Sequence, residues 1–411
     1  MKLSQMFGKP NKEFTKYDSI SHELLIRGGF IDQLGSGLFS ILPLGKKVLT
    51  HIENVIREEM NAIGGQEIQM PLLHPKKIWE ESGRWDAFDV LFKTKSRHGE
   101  AEYGLAPTHE EVVTPLARKA IRSYRDLPLY VYHITEKFRD EARAKSGILR
   151  GREFGMKDLY SFSKTHEEFS EFYQKAMDSY LRIFSRCGMN DVKITEASGG
   201  TFTKKHSHEF NVITPAGEVD LIYCDTCTFA QNIEITKLRE GHKCPQCEGK
   251  MLANKAVEVG NIFDLGTKFC ESFDLRFTDV DSKKKYPFMG CYGIGTTRML
   301  GAVVELNNDK YGIMWPKEIA PYQVVLCDIS KDNKPFADLI YRTLIAEKID
   351  VLYDDRESVS AGEKLKTADL IGVPVRLVIS DNTKEGIEWK ERTEAKYYLK
   401  TYEEVLSLLK G

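Results

Sequence analysis

No stretch of the 411 residues stays apolar long enough to cross a membrane, and the opening residues, MKLSQMFGKPNKEF, lack the hydrophobic core of a signal peptide. These absences lead to the expectation of a cytoplasmic protein with no membrane partner. An excess of one charge is also missing, since 59 Lys and Arg face 61 Asp and Glu. A nucleic-acid partner would need a local basic surface. Residues 320–411 contain neither a phosphate loop nor a catalytic cluster, which suits a binding domain. Cysteine is present but not arranged as a disulfide framework. Cys187, Cys270, Cys291 and Cys327 are dispersed and the other four form two C-x-x-C pairs, a pattern that in a reducing compartment argues for metal. The length suffices for two or three domains with a full core.

The chain is organised around 137–158, KFRDEARAKSGILRGREFGMKD. Its pattern predicts a strand, a polar loop at Gly147 and a returning strand, bringing Arg139, Glu141, Arg150 and Phe154 to one side of a sheet. That face suits a nucleotide. A guanidinium fork matches phosphate oxygens, Phe154 can stack on a base, and Glu141 can accept from an exocyclic amine. An exposed charged hairpin has the same signature. The nucleotide reading gains from 289–300, MGCYGIGTTRML. There Gly290, Gly293 and Gly295 let backbone approach a ligand, and Arg298 falls in the first turn of a helix whose positive end faces it.

Upstream, Val48, Leu49, Ile52, Val55, Ile56, Met60 and Ile63 recur at helical spacing until Gly64 and Gly65, and a short strand then meets Pro71. This helix reads equally as core or as a dimer interface. In 105–111, LAPTHEE, Thr108 and Glu110 place a hydroxyl beside a carboxylate, which fits an ammonium group or a helix cap. Downstream, Thr165 to Glu168 forms a capping box before an apolar face through Phe169, Phe172, Ala176, Tyr180 and Phe184. A glycine-rich turn is expected at 198–201. His206, His208 and Glu209 follow in a strand-like stretch, without a third ligand at a spacing that defines a metal. Cys224-x2-Cys227-x16-Cys244-x2-Cys247 offers four thiolates for tetrahedral zinc, with four free thiols as the alternative. Past 320, strands are expected at 323–329, 351–353 and 375–379, helices at 335–347 and 362–370, and a last helix capped by Thr401 and Glu404.

With these residues in view, the chain resembles the bacterial-type prolyl-tRNA synthetases, a class II aminoacyl-tRNA synthetase family, over essentially its whole length. Residues 35–73 resemble the family's dimer-forming motif 1. Phe138 to Glu141 with Arg150, Phe154 and Asp158 resembles motif 2, and 290–300 with Arg298 resembles motif 3. The Thr108-His-Glu110 loop resembles its proline-binding T-x-E loop. One departure stands out: members of this type carry a large editing domain between motifs 2 and 3, where this chain has only its cysteine-rich segment. The resemblance implies an α+β fold. A catalytic domain at 1–319 would hold an antiparallel sheet flanked by helices, a zinc-knuckle insertion at 222–256 would replace the editing domain, and a mixed α/β anticodon-binding domain would occupy 320–411.

The same resemblance implies ATP-dependent ligation of L-proline to tRNA(Pro) through a prolyl-adenylate. Arg139, bridging carboxylate and α-phosphate, and Arg298, on the γ-phosphate, would be the catalytic pair. Glu141, Arg150, Phe154, Gly293, Gly295 and Thr296 would complete the ATP site, with Glu209 as a Mg²⁺ ligand. Thr108, Glu110, Arg139, Tyr160, Phe162, His208 and Cys291 would form the proline pocket. Structural Zn²⁺ would sit on Cys224, Cys227, Cys244 and Cys247. The implied assembly is a homodimer through 35–73. With no editing domain, hydrolysis of mischarged alanyl-tRNA would fall to a separate trans-editing deacylase. A non-charging, synthetase-like regulator would be marked by loss of Arg139, Arg298 or the C-terminal domain, and none is lost. A zinc-ribbon nucleic-acid module would need a flanking basic run, and threonyl or seryl relatives lack the combined T-H-E and C-Y-G-I-G sequences.

Overall fold

The computed structural model describes residues 1–11, 17–198, 202, 206–331 and 333–410, with the backbone alone at His206. Most of the glycine-rich turn expected at 198–201 therefore lies outside the described residues, as does the His206 side chain. Two compact units are present: 1–34, 39–52 and 303–411 form one, and 35–38 with 53–302 the other.

The larger unit is built on nine strands: β1 (Gln66–Glu67), β2 (Leu129–Phe138), β3 (Glu153–Ser163), β4 (Val192–Ser198), β5 (His206–Ile213), β6 (Val219–Cys224), β7 (Ala230–Asn232), β8 (Met251–Gly266) and β9 (Phe288–Gly295). Their order is β5-β4-β7-β6-β8-β9-β3-β2-β1, and β5 also pairs with β8, so five strands close on themselves at one end. Pairing is antiparallel except for β1 on β2 and a single parallel bridge between β4 and β7. The register decides which side chains meet, because residues opposite one another share a face. Lys137 lies opposite Phe154 and His133 opposite Asp158. Gly293 is opposite Asp158, Cys291 opposite Tyr160, and Asn261 opposite Gly293. All of these occupy one face.

The other face is mainly apolar, with Lys157 and His208 among its few polar side chains, and receives the helix His166–Arg186. Thr165 caps this helix by accepting from the Glu168 N–H at 3.2 Å, and Glu168 accepts from the Lys164 N–H at 3.2 Å. Its inward residues Phe172, Tyr180 and Phe184 meet Tyr130, Phe210 and Tyr292 ring to ring, with Phe172 stacked on Tyr130 at 3.7 Å. Each such side chain contributes roughly 1.5–3 kcal/mol on burial. The expected upstream helix runs Pro43–Ala62, starting earlier than its apolar spacing indicates because Pro43 suits a first turn. Gly64, at φ +92°, ends it.

In the smaller unit, β10 (Val324–Asp328), β11 (Val351–Asp354), β12 (Val375–Ile379), β13 (Ile387–Glu391) and β14 (Tyr398–Lys400) are ordered β11-β10-β12-β13-β14. The first three strands are parallel, and β13 and β14 are antiparallel. Helices Lys334–Ala346, Ala361–Ile371 and Tyr402–Lys410 accompany these strands, Gly372 at φ +80° closes the second of them, and the same unit also contains the helix Ile20–Arg27. The expected α+β class holds. No helix among the described residues is long and apolar enough to cross a membrane.

Candidate active site

The β2–β3 hairpin, strands β8 and β9, and the start of the helix Thr296–Leu306 surround a cleft of about 570 Å³. Thr108, Arg139, Glu141, Arg150, Phe154, Cys291, Gly293, Gly295 and Arg298 all line it. Strand parity carries Arg139 here, two residues beyond Lys137, and β9 supplies the glycines. A Cβ on Gly293 would meet nothing nearer than 3.8 Å, so the missing side chain leaves room above the strand. Thr296 does not line the cleft. It is buried, and a Cβ on Gly155 would lie 2.5 Å from its hydroxyl.

Two arginines face one another across this space. Arg298 is aimed by backbone, donating Nε–H to the Leu149 carbonyl at 2.8 Å and Nη1–H to the Glu258 carbonyl at 2.9 Å. Arg139 donates to the Pro107 carbonyl at 3.4 Å, its guanidinium lies 5.3 Å from the Phe154 ring centre, and its buried Nε has no partner among the described residues. Burial, then the Arg298 charge, disfavours the Arg139 cation. An anion between them relieves both. Arg150 donates to Glu141 at 2.8 Å and pairs with Glu218, so the Glu141 carboxylate is engaged by Arg150 in this state.

At the deep end Thr108 Oγ1 donates to Glu110 Oε2 at 2.6 Å. Tyr160 and Phe162 are fully buried beneath, in a core that includes Phe269 and Met289, and the Tyr160 hydroxyl accepts from the His109 backbone at 3.1 Å. Burial, with Glu110 nearby, pushes the Cys291 thiol well above its usual range. Beside them lie His109, His133 and Asp158, whose ligand atoms fall within 4.8 Å of one another, the geometry of a metal site. The Lys137 ammonium fills it: Lys137 pairs with Asp158 and lies 2.5 Å from His109 Nδ1 and 3.0 Å from His133 Nε2.

His208 is not brought to the cleft. It lies opposite Ile262, on the helix-facing side, with Nδ1 2.8 Å from the Tyr173 hydroxyl. The expectation that it lines the pocket is corrected by strand parity. Its neighbour Glu209 lies opposite Asn261 and so faces the cleft side. Burial and the Glu258 carboxylate push Glu209 up to about 8. Two carboxylates that resist joint ionisation fit a divalent cation. Sequence reasoning missed Glu258, which no short motif marks, and also the roles of Lys137 and Asp158 in a stretch it had singled out.

The four paired cysteines also converge, with Cys224 Sγ 3.5 Å from Cys247 Sγ and Cys227 Sγ 3.6 Å from Cys244 Sγ. Backbone N–H groups of Thr226, Cys227, Gln246 and Gly249 point at three of these sulfurs at 3.3–3.4 Å. Donors aimed at sulfur favour thiolates, so the set fits zinc.

Residues 92–307 match the family model "tRNA synthetase class II core domain (G, H, P, S and T)", and 323–411 match "Anticodon binding domain". A "Proline--tRNA ligase" of Heliobacterium modesticaldum is 31% identical over 561 aligned positions, covering 99% of this chain and 97% of the relative. That alignment exceeds the 411-residue chain by about 150 positions. One of Caldicellulosiruptor saccharolyticus is 34% identical, covering 95% of each chain. Among solved structures, a prolyl-tRNA synthetase from Cryptosporidium parvum, complexed with halofuginone and AMPPNP, superposes with a TM-score of 0.77 at 20% identity, covering 95% of this chain and 74% of that one. The chain belongs to the proline--tRNA ligase family of class II aminoacyl-tRNA synthetases.

Proposed function

We propose that this chain ligates L-proline to tRNA(Pro), consuming ATP and passing through prolyl-adenylate. The observation that carries the reading is the convergence of Arg139 and Arg298 on one cleft also lined by Thr108, whose hydroxyl donates to the buried Glu110 carboxylate. The proline carboxylate attacks the α-phosphorus and pyrophosphate leaves, a step that needs alignment and charge neutralisation rather than a protein nucleophile. Arg139 bridges the carboxylate and the α-phosphate, and Arg298 takes the γ-phosphate. Phe154 stacks on adenine, Glu141 accepts from its amine once released from Arg150, and Gly293 and Gly295 leave room for the nucleotide. Thr108 and Glu110 hold the imino nitrogen, while Tyr160, Phe162 and Cys291 wall the ring. Mg²⁺, when bound, neutralises triphosphate charge, and Glu209 with Glu258 would hold it. The ribose hydroxyl of the tRNA end then attacks the adenylate carbonyl, the acyl–phosphate bond breaks, and AMP leaves as the prolyl ester forms.

Residues 1–319 are assigned to the catalytic domain and 320–411 to the anticodon. The four cysteines would hold structural zinc, the chain would dimerise through 35–73, and it would work in the cytoplasm. Proline-dependent ATP–pyrophosphate exchange, assayed with all twenty amino acids, tests the reading; exchange driven best by another amino acid, or by none, overturns it. The segment between Ile235 and Met251 is committed to the knuckle, where Cys244 and Met251 pack with Ile222 and Cys224. Preformed alanyl-tRNA should therefore survive incubation with the pure protein, leaving its hydrolysis to a separate deacylase. Enzyme-dependent decay above a no-enzyme control would contradict this.

A further inference from the structure

Arg84 is only 4% exposed, and its charge lies inside a cage of aromatic rings. The guanidinium carbon is 4.6 Å from the ring centre of Phe88, 4.8 Å from Phe202, 5.4 Å from Phe269 and 5.5 Å from Trp79. Ring faces attract the cation but accept little by way of hydrogen bonds, so they fix the plane of the guanidinium; Nε and Nη2 are buried without a hydrogen-bond partner among the described residues, and Nη1 alone reaches carboxylates. Nη1 donates to Glu111 Oε1 at 2.8 Å and to Glu110 Oε2 at 3.3 Å. Ser82 adds a second donor to Glu111 Oε1 at 2.9 Å.

The consequence falls on Glu110. Its Oε2 is held from two sides, by Arg84 and by the Thr108 hydroxyl, and the residue is fully buried. Its other oxygen, Oε1, is buried without a hydrogen-bond partner among the described residues. An unmet buried carboxylate oxygen is destabilising, and a ligand N–H would satisfy it. The charges agree with that placement, because one arginine faces two carboxylates and the cationic secondary ammonium of proline supplies the second positive charge.

We propose that Arg84 is a positioning residue for amino-acid recognition, its caged fork turning the Glu110 carboxylate so that Oε1 meets the ring nitrogen of proline. This rests on the assignment of Glu110 to the imino group made above.

The test uses two non-hydrolysable adenylate mimics on the full chain, prolyl- and cyclopentanecarbonyl-sulfamoyl adenosine, which differ only in ring nitrogen against ring CH₂. The ratio of their inhibition constants isolates recognition of that nitrogen. Arg84→Lys keeps a charge but loses the fork, and should cut the preference for the prolyl compound ~10-fold or more, while the constant for the carbocycle and the KM for ATP stay within ~3-fold. A merely structural arginine would weaken both mimics together, and that result, or an unchanged ratio, overturns the proposal. Glu110→Gln is read in parallel. If it leaves the ratio intact, the assignment of Glu110 falls. If it collapses the ratio and Arg84→Lys does not, the Arg84 proposal falls alone. Should Arg84→Lys not fold, Phe88→Leu keeps both charges while removing one ring of the cage. It should cut the preference ~3-fold or more, and no change there overturns the proposal.

Discussion

Lys137 and Lys157 are both completely buried, on opposite faces of one sheet, and they are given different partners. Lys137, on the cleft side, is surrounded by the Asp158 carboxylate and the ring nitrogens of His109 and His133. Burial and the Lys137 charge hold both imidazoles neutral, so they accept from the ammonium. Burial works against an ionised Asp158, yet the Lys137 ammonium holds its carboxyl well below the usual range. Lys157, on the helix side, has only neutral direct partners, the Tyr180 hydroxyl at 2.5 Å and the Tyr292 carbonyl at 3.0 Å. Burial lowers it to about 7. Burial disfavours the ammonium at both lysines; on the cleft face the paired Asp158 carboxylate opposes that effect, whereas on the helix face no carboxylate contacts the nitrogen. Fixed charge is what a site for a triphosphate and a zwitterion requires.

The largest effect is expected where the cleft's charges act on phosphate. Arg139→Ala and Arg298→Ala should each lower adenylate formation by at least ~100-fold, measured by pyrophosphate exchange, with circular dichroism unchanged. Exchange near the wild-type rate in either variant would remove that arginine from the chemistry.

The second test sets the two lysines directly against each other. Lys137→Met strands the Asp158 carboxylate as an uncompensated buried charge, which costs ~3–5 kcal/mol. Lys157→Met leaves no ionised partner behind and places an unbranched side chain among Tyr180 and Tyr292. Its effect should stay within ~1.5 kcal/mol and can be stabilising. Urea unfolding compares them, and equal losses would end the distinction between the faces.

How much of this was legible depends on which contacts are local. The hairpin through Arg139 and Phe154 was readable because β2 and β3 are consecutive and period 2 fixes their shared face. β13 and β14 were not expected, whereas the helix Thr165 caps, and three strands and three helices after 320, were readable from spacing and caps. His208 was not, because its facing depends on pairing with β8, and that pairing shifts register between Phe210 and Asn211. Arg84 and Glu258 were missed for a related reason. Each owes its position to partners far along the chain, and neither lies in a patterned neighbourhood. The sixteen-residue strand β8, which joins the closed end of the sheet to the cleft, carries no continuous alternation to announce it.

A smaller effect is expected at the cysteines, away from both faces. The purified, reduced protein should carry about one zinc per chain, and Cys244→Ser should lose it. Proteolysis should then open the 224–251 segment while proline-dependent exchange persists. Metal analysis finding no zinc in the wild type would reject the site.

The smallest effect is a change of slope, and it isolates Lys157. In the folded chain its pKa is lowered to about 7, whereas an unfolded lysine titrates at about 10.4. Between these values the unfolded chain binds a proton that the folded chain does not. Stability contributed through this group therefore rises with pH across that window, by at most ~1.4 kcal/mol per unit. Below about 7 both states are protonated, the penalty is constant, and it is at its largest. Glu111 and Glu209, raised to about 7 and about 8, titrate nearby with the opposite sign, since the fold retains their protons as the unfolded chain releases them. Both are present in wild type and in Lys157→Met, so they cancel in the difference between the two. The stability of Lys157→Met relative to wild type should thus be greatest at pH 6, begin to fall near pH 7 and keep falling through pH 9, as read from urea midpoints at each pH. A difference independent of pH would mean that Lys157 keeps its proton in the fold across this whole range.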